Sequence, residues 1–280
     1  MNRRWIVIDV SALCHRNFHV LKDKGMEFDG QRTETVFGLL RDIGVVQDAV
    51  SSKYMVFCFD KGRPHRVKLL PTYKSTRRQR YKEEDSQMKQ WRQSMREQML
   101  ELPDILYDVG YRNILEEDGY EADDLIASVC DNLPEGDTAI VVAKDEDMYQ
   151  LLGSKVEILK LKKDRNEWYT VADFMAEYGV EPSQWVDIRS IAGDKSDDIN
   201  GIYNVGKKTA AKYLRGELEP HLKTYQSIVK GSSTWKANRR LIELPYPGTP
   251  VHKFKKDKLT ARKWKGVLSR YGISSLPLPL

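Results

Sequence analysis

Three apolar runs, each ending at or just short of an aspartate, restrict the fold of this chain more than any other feature. Trp5-Ile6-Val7-Ile8 leads into Asp9, Tyr54-Met55-Val56-Phe57-Cys58-Phe59 into Asp60, and Thr138-Ala139-Ile140-Val141-Val142 toward Asp145 and Asp147. Continuous apolar runs suit parallel strands covered on both faces, and α/β sheets hold ligands outside the carboxyl ends of such strands. Four carboxylates are therefore expected on one rim. Two further acidic groups, Glu121-Ala122-Asp123-Asp124 and Asp194-Lys195-Ser196-Asp197-Asp198, stand in helix-edge contexts compatible with that rim. So many carboxylates share a site only if cations neutralise their repulsion, and all-oxygen ligation favours a hard ion such as Mg²⁺.

The rest of the pattern fits a mainly parallel sheet between helices. Strands are expected at 5–9, 54–60, 111–117 and 138–143, a short apolar segment at 155–161, and helices at 33–50, 121–132, 171–178 and 183–192, with a mostly helical C-terminal third. At 280 residues the chain suffices for one large domain, residues 1–280, with appendages. Cys14, Cys58 and Cys130 are odd in number and lack a CxxC pairing, which argues against a disulfide framework or structural zinc and fits a reducing compartment. No apolar stretch reaches the roughly 20 residues that span a bilayer, and the N-terminus shows no signal-peptide core. A soluble, intracellular, cytoplasmic protein without membrane contact is expected.

Residues 61–104 interrupt the α/β rhythm. Lys61, Arg63, Arg66, Lys68, Lys74, Arg77, Arg78, Arg80 and Lys82 precede any acidic residue of this segment, although the whole chain carries only +5. Such a cluster repels itself unless a polyanion is its partner, and Tyr73 and Tyr81 among the cations could stack on bases. From Glu83 to Leu102 the composition favours helix, with Met88, Trp91, Met95 and Met99 on one stripe that reads as core contact.

Taken singly, Glu121, Asp123, Asp124, Asp145 and Asp147 read as helix caps, because each stands near an expected helix start. Asp9 and Asp60 have no expected helix to cap. On a regular helix Asp123 would also point away from the face shared by Glu121 and Asp124, so a common site requires an irregular first turn. The combined pattern favours a multi-carboxylate metal site, and its size suggests two ions about 4 Å apart, the arrangement used in phosphodiester cleavage. His15, His19, His65, His221 and His252 stand alone and offer no general base. Gly201-Ile202-Tyr203-Asn204-Val205-Gly206-Lys207-Lys208-Thr209 reads as a turn tolerant of positive φ before a helix whose N–H groups and lysines could hold phosphates. An ordinary interhelical turn with a solvated lysine pair accounts for the same residues. A P-loop is excluded, since the segment lacks a GK[ST] ending and follows no strand.

Together these motifs resemble the 5′ nuclease family: flap endonucleases, the 5′ to 3′ exonuclease domains of bacterial DNA polymerases, and bacteriophage members of this size. Phe59-Asp60-Lys61-Gly62 with Arg66, then Leu70-Pro71-Thr72-Tyr73-Lys74 and Arg77, is similar to the family's FDxKGxxxR and LPxYKxxR signature. Glu121 to Asp124 is similar to EADD, Asp145-Glu146-Asp147 with Gln150-Leu151-Leu152 to DxDxxQLL, and Gly193 through Ala210 to GDxxDNIxGVxGIGxKTA. Asp198, Ile202 and Asn204 depart from it, standing for Asn, Val and Gly.

The resemblance implies that Asp9, Asp60, Glu121 and Asp123 serve one Mg²⁺ and Asp145, Asp147, Asp194 and Asp197 a second, with Asp124 nearby or water-mediated and Mn²⁺ as the alternative ion. It implies that residues 61–104 form a helical arch or clamp in which Lys74 and Arg77 act on the scissile phosphate. Lys61, Arg66, Lys68, Tyr73, Arg78, Arg80 and Tyr81 would contact DNA. Residues 186–215 would form a helix-three-turn-helix gripping duplex through Gly201, Gly206, Lys207, Lys208 and Thr209, with K⁺ as the candidate ion in its turn, and 216–280 a helical extension. The implied substrate is DNA with a 5′ flap, nick or single-strand/duplex junction, including RNA-primed DNA, cut by a monomer that meets other replication proteins. Two rivals remain: a PIN-type RNA nuclease and a non-catalytic junction-binding protein. Beyond 215 the sequence places a turn at Pro245-Tyr246-Pro247-Gly248, a basic run from Lys253 to Lys265, and an apolar tail, Leu276 to Leu280, either disordered or docking a partner.

Overall fold

The computed structural model describes residues 2–162 and 165–279. Strands β1 (Arg4–Asp9), β2 (Tyr54–Phe59), β3 (Ile114–Glu116), β4 (Thr138–Val142), β5 (Val156–Lys160) and β6 (Glu167–Tyr169) form one sheet in the order β3-β2-β1-β4-β5-β6. The first five are parallel and β6 runs antiparallel on the edge. The order reverses between β1 and β4, so the crevice that doubly wound sheets use for ligands opens beside Asp9 and the loop after Val142.

Alternation along β1 divides the interior into two cores. Ile6 and Ile8 pack with α1 (Val10–Leu21), α2 (Glu34–Val50) and Leu102, Ile105, Leu106 and Val109 of a later helix. Trp5 and Val7 face the opposite core. Between these elements lie α3 (Ser75–Glu83), which buries no residue, and the long α4 (Ser86–Val109). The opposite core is covered by α5 (Ala122–Asp131), α6 (Val171–Tyr178), α7 (Trp185–Ala192), α8 (Lys207–Leu214) and α9 (Lys223–Lys230). Next come α10 (Ser232–Ile242), packed on α7, and α11 (Ala261–Arg270), which returns to the first core through Trp264, Val267 and Leu268.

Helix α1 was not expected, though Val10, Leu13, Cys14, Asn17, Phe18 and Leu21 bury one helical stripe. It follows β1 without a Gly or Pro break, and strand and helix therefore read as one apolar stretch. Helix α4 runs past Pro103, where the sequence suggested a stop, because Leu102, Ile105, Leu106 and Val109 bury against the sheet and offset the lost backbone bond. Of its expected stripe, Met95 is buried and Met99 packs at the core edge, whereas Met88 and Trp91 are only half-buried and Trp91 lies under Lys22 and Arg32, so the packing reading holds for the second half of the stripe. The apolar tail docks on its own chain: Leu276 packs against the first core and its carbonyl accepts from Trp264 Nε1 at 3.4 Å. Leu280 lies outside the described residues. No described helix is long and apolar enough to cross a membrane.

Candidate active site

The acids converge because strand ends and helix starts meet at one edge of the sheet. Asp9 closes β1 and caps α1, its Oδ1 accepting from Ala12 N at 2.8 Å. Asp60 follows β2 and accepts from Ala122 N, at the start of α5, at 2.9 Å. The expectation that neither residue caps a helix is thus corrected: one caps the helix that was missed, and the other caps from a distant strand. Glu121 is the N-cap of α5 with extended backbone, φ −91° and ψ 159°, and so lies outside the regular helix that begins at Ala122, while Asp123 within it feels the charges of Asp9 and Asp145. Asp145 caps the 3₁₀ turn Glu146–Leu151 through Asp147 N at 3.0 Å. Oxygens of Asp147, Asp194 and Asp197 all lie within 4.8 Å of one another.

Electrostatics ties these groups together. Burial, followed by the charge of Asp60 and then Asp145, pushes Asp9 up to about 7. Burial and Asp145, with smaller contributions from Asp194 and Asp197, likewise push Asp147 up to about 7 against the pull of Arg189. Asp123 rises well above the carboxylate range through burial, Asp9 and Asp145. Glu121 and Asp194 are also buried, yet Lys74 and Arg66 hold the first, and Arg189 the second, below the usual range. An all-oxygen set under this much mutual repulsion fits hard divalent ions, which would relieve the repulsion and complete the ligation.

The cationic segment supplies Lys74 and Arg77 to this edge. Lys74 Nζ lies 2.5 Å from Glu121 Oε1 and 3.6 Å from Asp197 Oδ2, and Arg77 Nη2 lies 3.3 Å from Asp197 Oδ1. Lys74 is left-handed, φ 55°, with its N–H on Asp197 O at 3.1 Å. Asp198, φ 60°, anchors the start of α3 by accepting from Thr76 N at 2.7 Å and Thr76 Oγ1 at 2.5 Å. Its departure from Asn keeps both positive-φ tolerance and an acceptor.

Two expected DNA contacts are corrected. Arg66 is 3% exposed and forks Asp124 at 2.6 and 2.7 Å while donating to Leu241 O at 2.7 Å, so it is a buried structural cation. Tyr73 is 3% exposed, within hydrogen-bond reach of Glu121 Oε2 at 2.9 Å and Asp197 Oδ2 at 3.0 Å, and no base can stack on it. Asp124 has no exposure and also accepts from Tyr246 N at 2.8 Å and Glu121 N at 3.2 Å, which leaves its carboxylate engaged by protein donors. Lys61 is exposed and paired with Glu116 at 2.6 Å; Lys68, Arg78 and Arg80 are exposed; Tyr81 is half-buried beneath Arg92.

At the second expected motif, Gly193-Asp194 and Ile199-Asn200 pair between α7 and the turn. Asn204 takes φ 58°, where the family pattern has Gly. A Cβ on Gly201 would lie 2.2 Å from the Ala192 carbonyl, so the close crossing requires glycine there. Lys208 is exposed, Thr209 and Gly206 start α8, and Lys207 is engaged by Glu146. Tyr203, 85% exposed, stands at the tip.

The sequence reading missed Arg189. From α7 it reaches Asp147 Oδ1 at 2.9 Å and bonds Asp194, a cation set among the acids. Its position five residues before Asp194, on a helix with an apolar inner face, was the available signal. Asn238 of α10 fixes the same region by donating to Ser190 O at 3.0 Å and Asn200 O at 2.8 Å.

A doubly wound sheet thus gathers acids at its carboxyl edge beneath a cationic segment. The chain belongs to the 5′-3′ exonuclease family: that family's N-terminal resolvase-like domain matches residues 4–179. The 5′-3′ exonuclease of Bacillus subtilis is 30% identical over 76% of this chain and 70% of its own length, and that of Aquifex aeolicus 28% over 86% and 78%. The thermostable DNA polymerase I of Thermus aquaticus is 32% identical over 80% of this chain, which spans only 26% of that relative. Among solved structures, bacteriophage T5 5′-exonuclease with bound zinc shares the fold at a TM-score of 0.73 and 21% identity, over 87% of this chain and 90% of that one. The T5 flap endonuclease in a pseudo-enzyme-product complex with DNA and metal ions gives 0.73 at 19%, over 96% and 100%.

Proposed function

We propose that this chain hydrolyses DNA phosphodiester bonds near single-strand/duplex junctions, as a 5′ flap endonuclease and 5′ to 3′ exonuclease suited to primer removal in replication. The observation that carries the reading is the gathering of eight acids, from five strand or helix ends, against Lys74 and Arg77 of the cationic segment. Asp9, Asp60, Glu121 and Asp123 would hold one Mg²⁺, and Asp145, Asp147, Asp194 and Asp197 a second, with Mn²⁺ as a substitute. Bound there, the ions would supply an activated water and charge neutralisation at the leaving oxygen.

The chain's own residues do the rest. Lys74, held between Glu121 and Asp197, and Arg77 beside Asp197 face a phosphate seated over the acids and stabilise the charge that develops on it. Tyr73 and Arg66 fix the acids from below and do not touch substrate. Residues 61–104 would form the arch, and exposed Lys68, Arg78 and Arg80 draw in the single strand. The turn 201–206 with Lys208 and Thr209 grips the duplex backbone, with K⁺ as its candidate ion. The chain acts as a monomer and meets other replication proteins on its exposed faces.

A cleavage panel of 5′ flap, nick, single-stranded circle, RNA-primed duplex and matched all-RNA junction, with Mg²⁺ and with EDTA, tests this reading. Cuts at the flap and primer junctions, an intact circle and silence in EDTA are expected. Preference for the RNA junction favours a PIN-type RNA nuclease, and binding without Mg²⁺-dependent cutting favours a non-catalytic binder.

A further inference from the structure

At the amino ends of β1 and β2, where the two cores meet, the surface opens into a cleft of about 780 Å³. Trp5, Tyr54, Tyr111 and Phe254 line it. Trp5 is the second residue of β1 and Asp9 the last, so the cleft lies at the opposite end of the sheet from the acids. Arg3, Lys53, Lys255 and Lys256 also line it, all exposed, against one acidic residue, Asp257. Leu278 and Pro279 of the apolar tail complete the wall.

We infer that this cleft docks an acidic, extended peptide segment of another protein, with an apolar side chain on the aromatic floor and carboxylates on the basic rim. Charge complementarity selects the occupant: four cations around an apolar floor attract a segment carrying both acids and an apolar residue. The chain's own Leu278-Pro279 already lies along this wall, so an extended Leu/Pro-containing backbone fits the cleft's shape. Tyr111 adds a second observation. It is 1% exposed and its hydroxyl has no hydrogen-bond partner among the described residues, a donor that a peptide carbonyl reaching the floor satisfies.

The ring geometry argues against a nucleic acid strand. Trp5 packs on Phe254 at 4.4 Å and 38° and on Tyr54 at 5.3 Å and 53°, and the Arg3 guanidinium lies 5.9 Å from the Trp5 ring and 5.7 Å from the Tyr54 ring. Their faces are committed to one another and to Arg3, which leaves no open platform for successive bases.

The test is fluorescence anisotropy with the full chain and a fluorescein-labelled peptide of sequence DDDLPL. Saturable binding is expected, weakened at least about tenfold by the double charge reversal Lys53→Glu/Lys255→Glu or by replacing the peptide's acids with serine. A chain ending at Pro277 should bind more weakly, because Leu278 and Pro279 complete the wall. Cleavage of flap DNA by the charge-reversed chain should match the wild type, since neither lysine belongs to the acidic site. Absence of saturable binding to both the full and the shortened chain overturns the inference. So does binding of a labelled oligothymidine of equal length that the same charge reversal abolishes, which would make the cleft a nucleic-acid groove, or indifference of the peptide to the charge reversal.

Discussion

Replacing Arg189 with methionine keeps the aliphatic stem and removes a cation that is 8% exposed and bonded to both Asp147 and Asp194. Removing one partner of a buried ion pair costs about 3–5 kcal/mol. Here the lower figure applies, because Asp147 is already pushed up to about 7 and can take up a proton when its counter-charge goes. About 3 kcal/mol at this chain length lowers Tm by roughly 5 °C. The loss should depend on metal. Without divalent ions the oxygens of Asp147, Asp194 and Asp197, within 4.8 Å of one another, lose their buried arginine. With saturating Mg²⁺ an ion supplies the missing charge and binds only the folded chain, so at least about half of the loss should return. Thermal unfolding of wild type and Arg189→Met in EDTA and in MgCl₂ measures this difference. Equal destabilisation in both buffers would refute the assignment of the three aspartates to a cation site, and a loss under about 1 kcal/mol would refute the buried-pair argument itself.

Asp197→Ala should leave junction-DNA binding in a gel-shift assay nearly intact while single-turnover cleavage falls by orders of magnitude, because backbone affinity comes from cations and main-chain donors. Lys74→Ala should lower single-turnover cleavage at saturating enzyme at least about tenfold, roughly 1.4 kcal/mol of transition-state stabilisation, whereas Lys68→Ala should mainly weaken binding. In salt titrations of duplex binding, Lys208→Ala should reduce the slope by roughly 0.9, and Lys207→Ala by less, because Glu146 already engages Lys207. Burial and then Lys255 lower His252 from 6.5 to about 4, so its neutral form favours the fold; that contribution is complete above 6.5 and is lost as pH falls toward 4. His252→Gln should therefore flatten the acid-side loss of stability between pH 6.5 and 4, read from urea midpoints.

The local code of this chain determines its strands, because runs such as Ile6-Val7-Ile8 and Ile140-Val141-Val142 have one stable use, a sheet covered on both faces. It also determines that acids follow those strands, that a cationic segment interrupts them, and that a glycine-flanked turn precedes α8. The nearness of the acids was legible for the same reason: a parallel sheet puts all its carboxyl ends on one side. Tertiary structure decided which of these charged residues remain open to a ligand. Arg66 and Lys74 read alike as members of one basic run, yet Arg66 turns inward to Asp124 and the Leu241 carbonyl while Lys74 turns to the acid edge. Tyr73 and Tyr81 likewise part, one beneath the acids and one under Arg92. Arg189, Asn238 and the capping partners of Asp60 and Asp198 come from segments distant in sequence or from opposite ends of a loop. Periodicity reports only which face of an element is apolar; the partner of a buried charge is set by what the fold packs against it.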